Sequence, residues 1–262
     1  MVNGRGGGTK TEPDGSRWPT IVESILATPP VLFGVNATRS SDFAVLFDMD
    51  GVILQDRGAD PIIHQRAFED LQAKRDLEVP QDYREPLETY EYTDAFVDAC
   101  AAIDVDPEEF FAARETRSAK RSIERLKSGH RSLYPDVSSI PAVSGEFPTG
   151  IVSNNYHPTV KFVVEHFDLG PFEHVRGRDI GLTGYTRRKP DPHYLEEALN
   201  TLGVSGGVYV GDRITDVQAA HRAGLESVLV RREHVGTIED VEPSAIIDQL
   251  NDLSTVIDEF GT

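Results

Sequence analysis

From Thr149 to Val230 the chain alternates short apolar runs with helical stretches. A chain patterned this way buries both faces of its strands only in a parallel sheet with helices packed on either side. The strands are expected at Gly150-Ile151-Val152, Phe172 to Val175, Gly207 to Val210 and Ser227 to Val230. Between them come helices at Thr159 to Phe167, His193 to Leu202 and Thr215 to Ala223. Asp191 and Pro192 mark the start of the second helix, and Gly203 and Gly224 the stops of the second and third. A further helix, Pro243 to Glu259, is expected to close the chain. The predicted fold class is α/β, a doubly wound, Rossmann-like parallel sheet.

One more strand belongs to this sheet. Phe43-Ala44-Val45-Leu46-Phe47 is an apolar run bounded by a polar turn. The sequence between it and Thr149 reads differently. Pro61 to Leu77 sets Ile62, Ile63, Ala67, Phe68 and Leu71 on one helical face, with Pro61 suited to the first turn. Leu87 to Ile103 and Pro107 to Lys127 are further helices, the latter with Asp106 as N-cap and Gly129 as stop. No strand signal interrupts them, so an all-α cap of roughly seventy residues, the size of a small domain, is inserted in the core. The expected division is an N-terminal extension at 1–40, a core at 41–58 and 132–262, and a helical cap at 59–131. The first 17 or so residues are polar and glycine-rich and are expected to be disordered. Ile21 to Val35 is apolar enough to fold back on the core.

The first strand delivers two carboxylates, Asp48 and Asp50, to its carboxyl end, followed at once by Gly51. Two carboxylates so close repel each other unless a cation offsets them. Clustered oxygen donors suit Mg²⁺, and the crevice beyond the strand ends is where open α/β sheets bind ligands. Four other points share that edge: Ser153 and Asn154, Lys189, Asp212 and Asp216. In a parallel sheet they converge although distant in sequence.

The charge balance narrows the partners. The chain carries 44 acidic and 26 basic residues, for a net charge of −18, and 20 of the bases are Arg against 6 Lys. Nucleic acid is excluded as a partner, since phosphate backbones require clustered bases. An acidic, Lys-poor surface fits a protein kept soluble at high salt. A halophilic source is therefore expected, and unfolding followed against KCl concentration checks it: stability indifferent to salt removal would rule it out. Cys100 is the single cysteine, so no intrachain disulfide exists. It is expected as a small core residue on a helix. No signal peptide or membrane span is legible, and a cytoplasmic protein without membrane partners, monomer or homodimer, is expected.

Asp48-x-Asp50-Gly51-Val52, Ser153, Lys189 and Gly211-Asp212-x-x-x-Asp216 stand in that order. Over about residues 43 to 232 the chain resembles the haloacid dehalogenase-like (HAD) superfamily of phosphohydrolases, whose four motifs these match. The insert resembles the type 1 helical cap, and the whole is similar to the phosphatase and β-phosphoglucomutase branch. The resemblance implies that Asp48 is the nucleophile, forming an aspartyl-phosphate, and that Asp50 protonates the leaving group and then activates water. It implies that Ser153 and Lys189 bind the phosphoryl group. Mg²⁺ would be held by Asp48, the Asp50 backbone carbonyl, and Asp212 and/or Asp216. Gly51 and Asn154 are expected at the substrate. His64, in His64-Gln65-Arg66-Ala67-Phe68, resembles a cap-helix signature that would help align Asp50.

Taken singly, these residues have blander readings. Asp212 suits a turn, Asp216 a helix surface, and Ser153 a hydroxyl bonding its own backbone. His64 suits simple helix packing, and Asn155, like Asn154, suits phosphate contact or shaping of the loop. Arg213 reads as a charge partner of Asp212, and Arg187 with Arg188 as a solvated basic patch. The carboxylate at Asp50 separates phosphate chemistry from dehalogenation, because a halide leaves without a proton. No lysine precedes Lys74 in the first cap helix, which argues against a phosphonatase Schiff base. The leading expectation is a Mg²⁺-dependent phosphatase acting on a small phosphorylated metabolite of the phosphoglycolate or sugar phosphate type. A phosphomutase and a non-catalytic phosphate- or metal-binding protein are the alternatives.

Overall fold

The first apolar run forms β1 (Phe43–Phe47), fully buried from Ala44 on. The computed structural model describes residues 42–56, 60–233 and 241–260. The expected N-terminal extension at 1–40 lies outside the described residues, as do 57–59 at the expected boundary between core and cap.

Four helices follow β1: α1 (Pro61–Arg75), α2 (Arg84–Glu88), α3 (Asp94–Ala102) and α4 (Pro107–Lys127). The starts of α1, α3 and α4 are fixed by side-chain caps. Asp60 accepts from the Ile62 amide at 3.1 Å and Asp106 from the Glu109 amide at 2.8 Å, each followed by a proline in the first turn. Phe68, Leu71, Leu87, Phe96, Cys100, Phe110 and Phe111 interlock as a core separate from that of the sheet. Burying one such phenylalanine contributes roughly 1.5–3 kcal/mol. The helix expected from Leu87 to Ile103 is broken. The chain leaves α2 at Glu88 and re-enters at Asp94, where Thr93 accepts from the Phe96 amide at 3.2 Å. In the break Tyr90 and Tyr92 pack on Tyr185 and Phe111, with ring centroids 5.8 and 5.1 Å apart. Aromatic packing and a local cap outweigh helix propensity here.

The remaining elements are α5 (Ile140–Glu146), β2 (Thr149–Tyr156), α6 (His157–His166), β3 (His174–Arg178), α7 (Leu182–Thr186), α8 (His193–Leu202), β4 (Gly206–Gly211), α9 (Ile214–Arg222), β5 (Glu226–Val230), β6 (Ala245–Ile247) and α10 (Leu253–Glu259). The strands form one sheet in the order β3-β2-β1-β4-β5-β6, with every pairing parallel. Side chains alternate across it: Val45 and Phe47 join one buried cluster, Ala44 and Leu46 the other. The fold is thus a doubly wound α/β sheet with an inserted all-α cap.

The expected closing helix from Pro243 is corrected at its start. Ala245–Ile247 extends along β5 as a sixth strand, with the Arg231 amide bonded to the Ile247 carbonyl at 2.8 Å. Only Leu253–Glu259 is α-helical. The free edge of β5 offers backbone partners that a local pattern does not reveal. β2 also runs past Val152 to Tyr156, so Ser153 and Asn154 lie within the strand, not after it. Among the described residues no helix is long and apolar enough to cross a membrane.

Cap and core are joined by a buried ion pair. Arg178, at the end of β3, donates to Glu115 of α4 through both terminal nitrogens, Nη1 to Oε2 at 3.1 Å. The Gly181 amide donates to Glu115 Oε2 at 2.7 Å, and the Arg178 guanidinium lies 4.6 Å from the centre of the Tyr156 ring.

Candidate active site

Strand register assembles the site. Phe47 is level with Ile151 on one side and Val210 on the other, so β1 and β4 end together beside the outer half of β2, where the strand order reverses. That is the switch point at which such sheets bind ligands. Asp48 leaves β1 with its amide bonded to the Val210 carbonyl at 2.8 Å. A tight turn follows, closed by Gly51 N to Leu54 O at 2.8 Å and Leu54 N to Met49 O at 2.9 Å. Gly51 has φ +86°, and a Cβ there would fall inside the Asp212 carboxylate. Only glycine meets both demands. Gly51, expected as a substrate contact, is the floor against which Asp212 packs.

Lys189 stands at the centre of the acidic cluster. Its ammonium lies 3.0 Å from Asp48 Oδ1, 2.7 Å from Asp216 Oδ1 and 2.5 Å from the Tyr209 hydroxyl. Tyr209 in turn donates to the Val152 carbonyl at 2.6 Å, so a phenol inside β4 fixes the lysine against β2. Burial acts to lower the pKa of Lys189, but the Asp216 and Asp48 carboxylates hold its ammonium above the usual lysine range. Burial pushes the Asp48 carboxyl up to about 6, against the pull of Lys189 and with help from Asp216 and Asp50.

Asp212 and Asp216 bracket the start of α9. Asp216 Oδ2 accepts from the amides of Asp212 and Arg213 at 3.1 and 3.0 Å, and Arg213 Nε lies 3.7 Å from Asp212 Oδ1. Asp48, Asp212 and Asp216 are all buried, and one oxygen from each lies within 4.8 Å of the others. The Oδ1 atoms of Asp48 and Asp216 both face the Lys189 ammonium. Three converging carboxylates without soft donors fit a hard divalent cation such as Mg²⁺.

Asp50 is held apart from that cluster. Its Oδ1 pairs with Arg131 Nη1 at 2.6 Å and its Oδ2 accepts from Asn155 Nδ2 at 2.9 Å. His64, expected to align Asp50, is bonded through Nδ1 to Ser118 at 3.2 Å. Burial, with Arg114 and Arg178 nearby, lowers the imidazole to about 4, so it is neutral at working pH. It lines the cavity without a hydrogen bond to Asp50. Ser153 is buried, faces the cavity and accepts from the Asn155 amide at 3.2 Å. Asn154 clamps the Lys189 backbone in both directions, receiving its amide at 2.7 Å and donating to its carbonyl at 3.1 Å.

These groups line a cavity of about 710 Å³ between cap and core, with Asp48, Asp50, Ser153 and Lys189 below and His64, Glu88, Tyr90 and Ser122 above. Arg187 is exposed, as expected, but Arg188 is not part of a solvated patch. It lines the cavity with its guanidinium 3.5 Å from the Tyr185 ring centre and 3.4 Å from Glu91. Arg131 and Tyr209, not among the residues expected at the site, belong to it as well. A tyrosine in an otherwise apolar buried strand is a usable signal, because its hydroxyl needs a partner. Arg131 carries no such signal.

The haloacid dehalogenase-like hydrolase family model matches residues 44–224. Phosphoglycolate phosphatase of Escherichia coli (strain K12) is 31% identical over 127 residues, which is 46% of this chain and 49% of that protein. The chain thus spans about half the length of the curated relatives it matches. Among solved structures, CbbY from Rhodobacter sphaeroides in complex with phosphate superposes with a TM-score of 0.57 at 19% identity, covering 83% of this chain and 99% of the other. The 2-haloacid dehalogenase from Pseudomonas syringae pv. Tomato DC3000 gives 0.56 at 19% identity, covering 84% and 100%. At such identities the superpositions speak to the fold alone. The family match runs from β1 through the helical insert to the end of α9, and the chain belongs to the haloacid dehalogenase-like hydrolases.

Proposed function

We propose that the protein is a phosphatase that hydrolyses a small phosphorylated metabolite, of the phosphoglycolate or sugar phosphate type, through an aspartyl-phosphate. The observation that carries this reading is the separate handling of two carboxylates two residues apart. Asp48 is drawn to Lys189 in the acidic cluster, while Asp50 is oriented by Arg131 and Asn155. That division suits one group that attacks and another that moves a proton.

In the first step an Asp48 oxygen attacks phosphorus and the bond to the ester oxygen breaks. The departing oxygen takes the proton of Asp50 and leaves as an alcohol. In the second step water attacks the aspartyl-phosphate and gives its proton to Asp50, releasing phosphate and restoring Asp48. Lys189 and Ser153 hold the phosphoryl oxygens, and the lysine offsets repulsion between Asp48 and the incoming anion. The residues that would hold Mg²⁺ are Asp48, Asp212 and Asp216, with the Asp50 backbone carbonyl. When bound, the ion would neutralise charge on the phosphoryl group. The cap, proposed to span 59–131, covers the cavity and limits the substrate to small esters.

The test is phosphate release from p-nitrophenyl phosphate, phosphoglycolate and a set of sugar phosphates, with Mg²⁺ and with EDTA. Turnover that falls on the order of 10³-fold on chelation and returns with Mg²⁺ is expected. No release from any ester would leave a phosphate-binding protein, and isomerised ester in place of free phosphate would mark a mutase. Release indifferent to EDTA would remove the metal from the mechanism.

A further inference from the structure

The two segments joining sheet to cap run side by side. Leu54 bridges to Leu133, the Gln55 amide bonds the Ser132 carbonyl at 2.9 Å, and the Tyr134 amide bonds the Ile53 carbonyl at 3.0 Å. The Gln55 side chain adds a bond to the Leu133 carbonyl at 3.0 Å. The cap therefore hangs from a short two-stranded connection.

Arg131 sits at the end of that connection, and each of its nitrogens is engaged. Nε donates to the Gln55 carbonyl at 2.8 Å and Nη2 to the Asp56 carbonyl at 2.7 Å. Nη1 donates to Asp50 Oδ1 at 2.6 Å. The side chains of Arg131 and Asp50 are 15% and 11% exposed, so the pair is largely shielded from water. Two of the three bonds would suffice to staple the linkers. The third reaches into the site, to the carboxylate whose other oxygen is held by Asn155 of β2. A guanidinium is a rigid planar fork, so its three donors move together. A shift of the Gln55–Asp56 backbone thus carries the Asp50 partner with it.

We propose that Arg131 is a positioning residue that aims the Asp50 carboxylate and ties its aim to the geometry of the cap linkers. This rests on the reading of Asp50 as the proton-transfer group. A lysine keeps the charge at 131 but offers a point donor in place of the fork, so Asp50 loses its fixed direction. The effect falls on proton transfer and spares the attack by Asp48.

Arg131→Lys and Arg131→Gln are compared with wild type on two esters. One is p-nitrophenyl phosphate, whose leaving group departs without a proton. The other is the alkyl phosphate that wild type hydrolyses fastest. On the alkyl ester, kcat is expected to fall on the order of 10- to 10³-fold, within the range that general acid–base catalysis supplies, with KM changed little. On the aryl ester, the first-turnover burst of p-nitrophenolate is expected to survive while steady turnover slows, because only the second step needs the base. Lys is expected to be milder than Gln. Equal losses of first turnover on both esters, a change confined to KM, or loss of the fold in both variants would overturn the proposal. Each would assign Arg131 to substrate binding or to the hinge alone. Wild type inactive on both esters would instead sink the phosphatase reading itself.

Discussion

Asp48→Asn is expected to bring phosphate release close to background, a loss of at least ~10⁴-fold, while the protein stays folded. An amide cannot attack phosphorus, and Asp50, the other carboxylate at the end of β1, is engaged by Arg131 and Asn155. On stability the same substitution acts in the opposite direction. Burial holds the Asp48 carboxyl at about 6, above its usual value of 3.8. The folded state without metal thus favours the neutral form more than the unfolded chain does. Its stability falls as pH rises from about 4 through 6, and the penalty is complete above that range. A shift of this size corresponds to about 3 kcal/mol as an upper figure. Asparagine carries no such penalty, and Lys189 retains Asp216 at 2.7 Å and the Tyr209 hydroxyl. In EDTA, the variant should melt above wild type at pH 8, and the two should converge near pH 4. Turnover surviving in the variant would reject the nucleophile. A variant less stable than wild type at pH 8 would reject this account of the cluster's electrostatics.

The second large effect is on stability. Removing either partner of the Arg178–Glu115 pair is expected to cost about 3–5 kcal/mol, because a charge is then left buried alone. Arg178 is 0% and Glu115 1% exposed, so water cannot take the missing partner's place. The two losses are not equal. Arg114, also buried, neighbours the pair, and burial lowers its pKa while Tyr156 and Glu115 oppose that shift. Glu115→Ala strands the Arg178 guanidinium and the Gly181 amide and removes a compensating charge from Arg114, which keeps only its bonds to the Leu87 and Tyr90 carbonyls, whereas Arg178→Ala strands one carboxylate that keeps the Gly181 amide. Glu115→Ala should therefore be the more damaging. Replacing both, as Glu115→Leu with Arg178→Met, should lie nearer wild type than either single change. Urea midpoints of the four proteins decide it. A single-variant loss below ~1 kcal/mol would mean that the pair is solvated and does not tie cap to core.

Much of this molecule is legible in local patterns. The apolar run before Asp48, the Asp106-Pro107 start of α4 and the Gly203 stop of α8 are each set by residues within one turn, so sequence spacing reveals them. The same holds for the placement of Asp48, Ser153, Lys189, Asp212 and Asp216 at one edge of the sheet. Parallel strands present their carboxyl ends together, and order in the chain is enough to infer it.

Features that depend on partners far along the chain escaped. β6 exists because β5 has a free edge, and the break at 89–93 because Tyr185 and Phe111 receive the two tyrosines. Arg188 faces the cavity because the Tyr185 ring supports it. Arg131 and Asp50 are separated by 81 positions, a span over which no periodicity informs. By itself the sequence determined which residues bring chemistry to the sheet edge and which elements carry them, since backbone propensity and apolar periodicity act over a few residues. Only the tertiary structure decided how each charge is neutralised and aimed. Asp48 faces Lys189, Asp50 faces Arg131, and Arg178 faces Glu115 because desolvated charges must be paired, and folding alone chooses the partner.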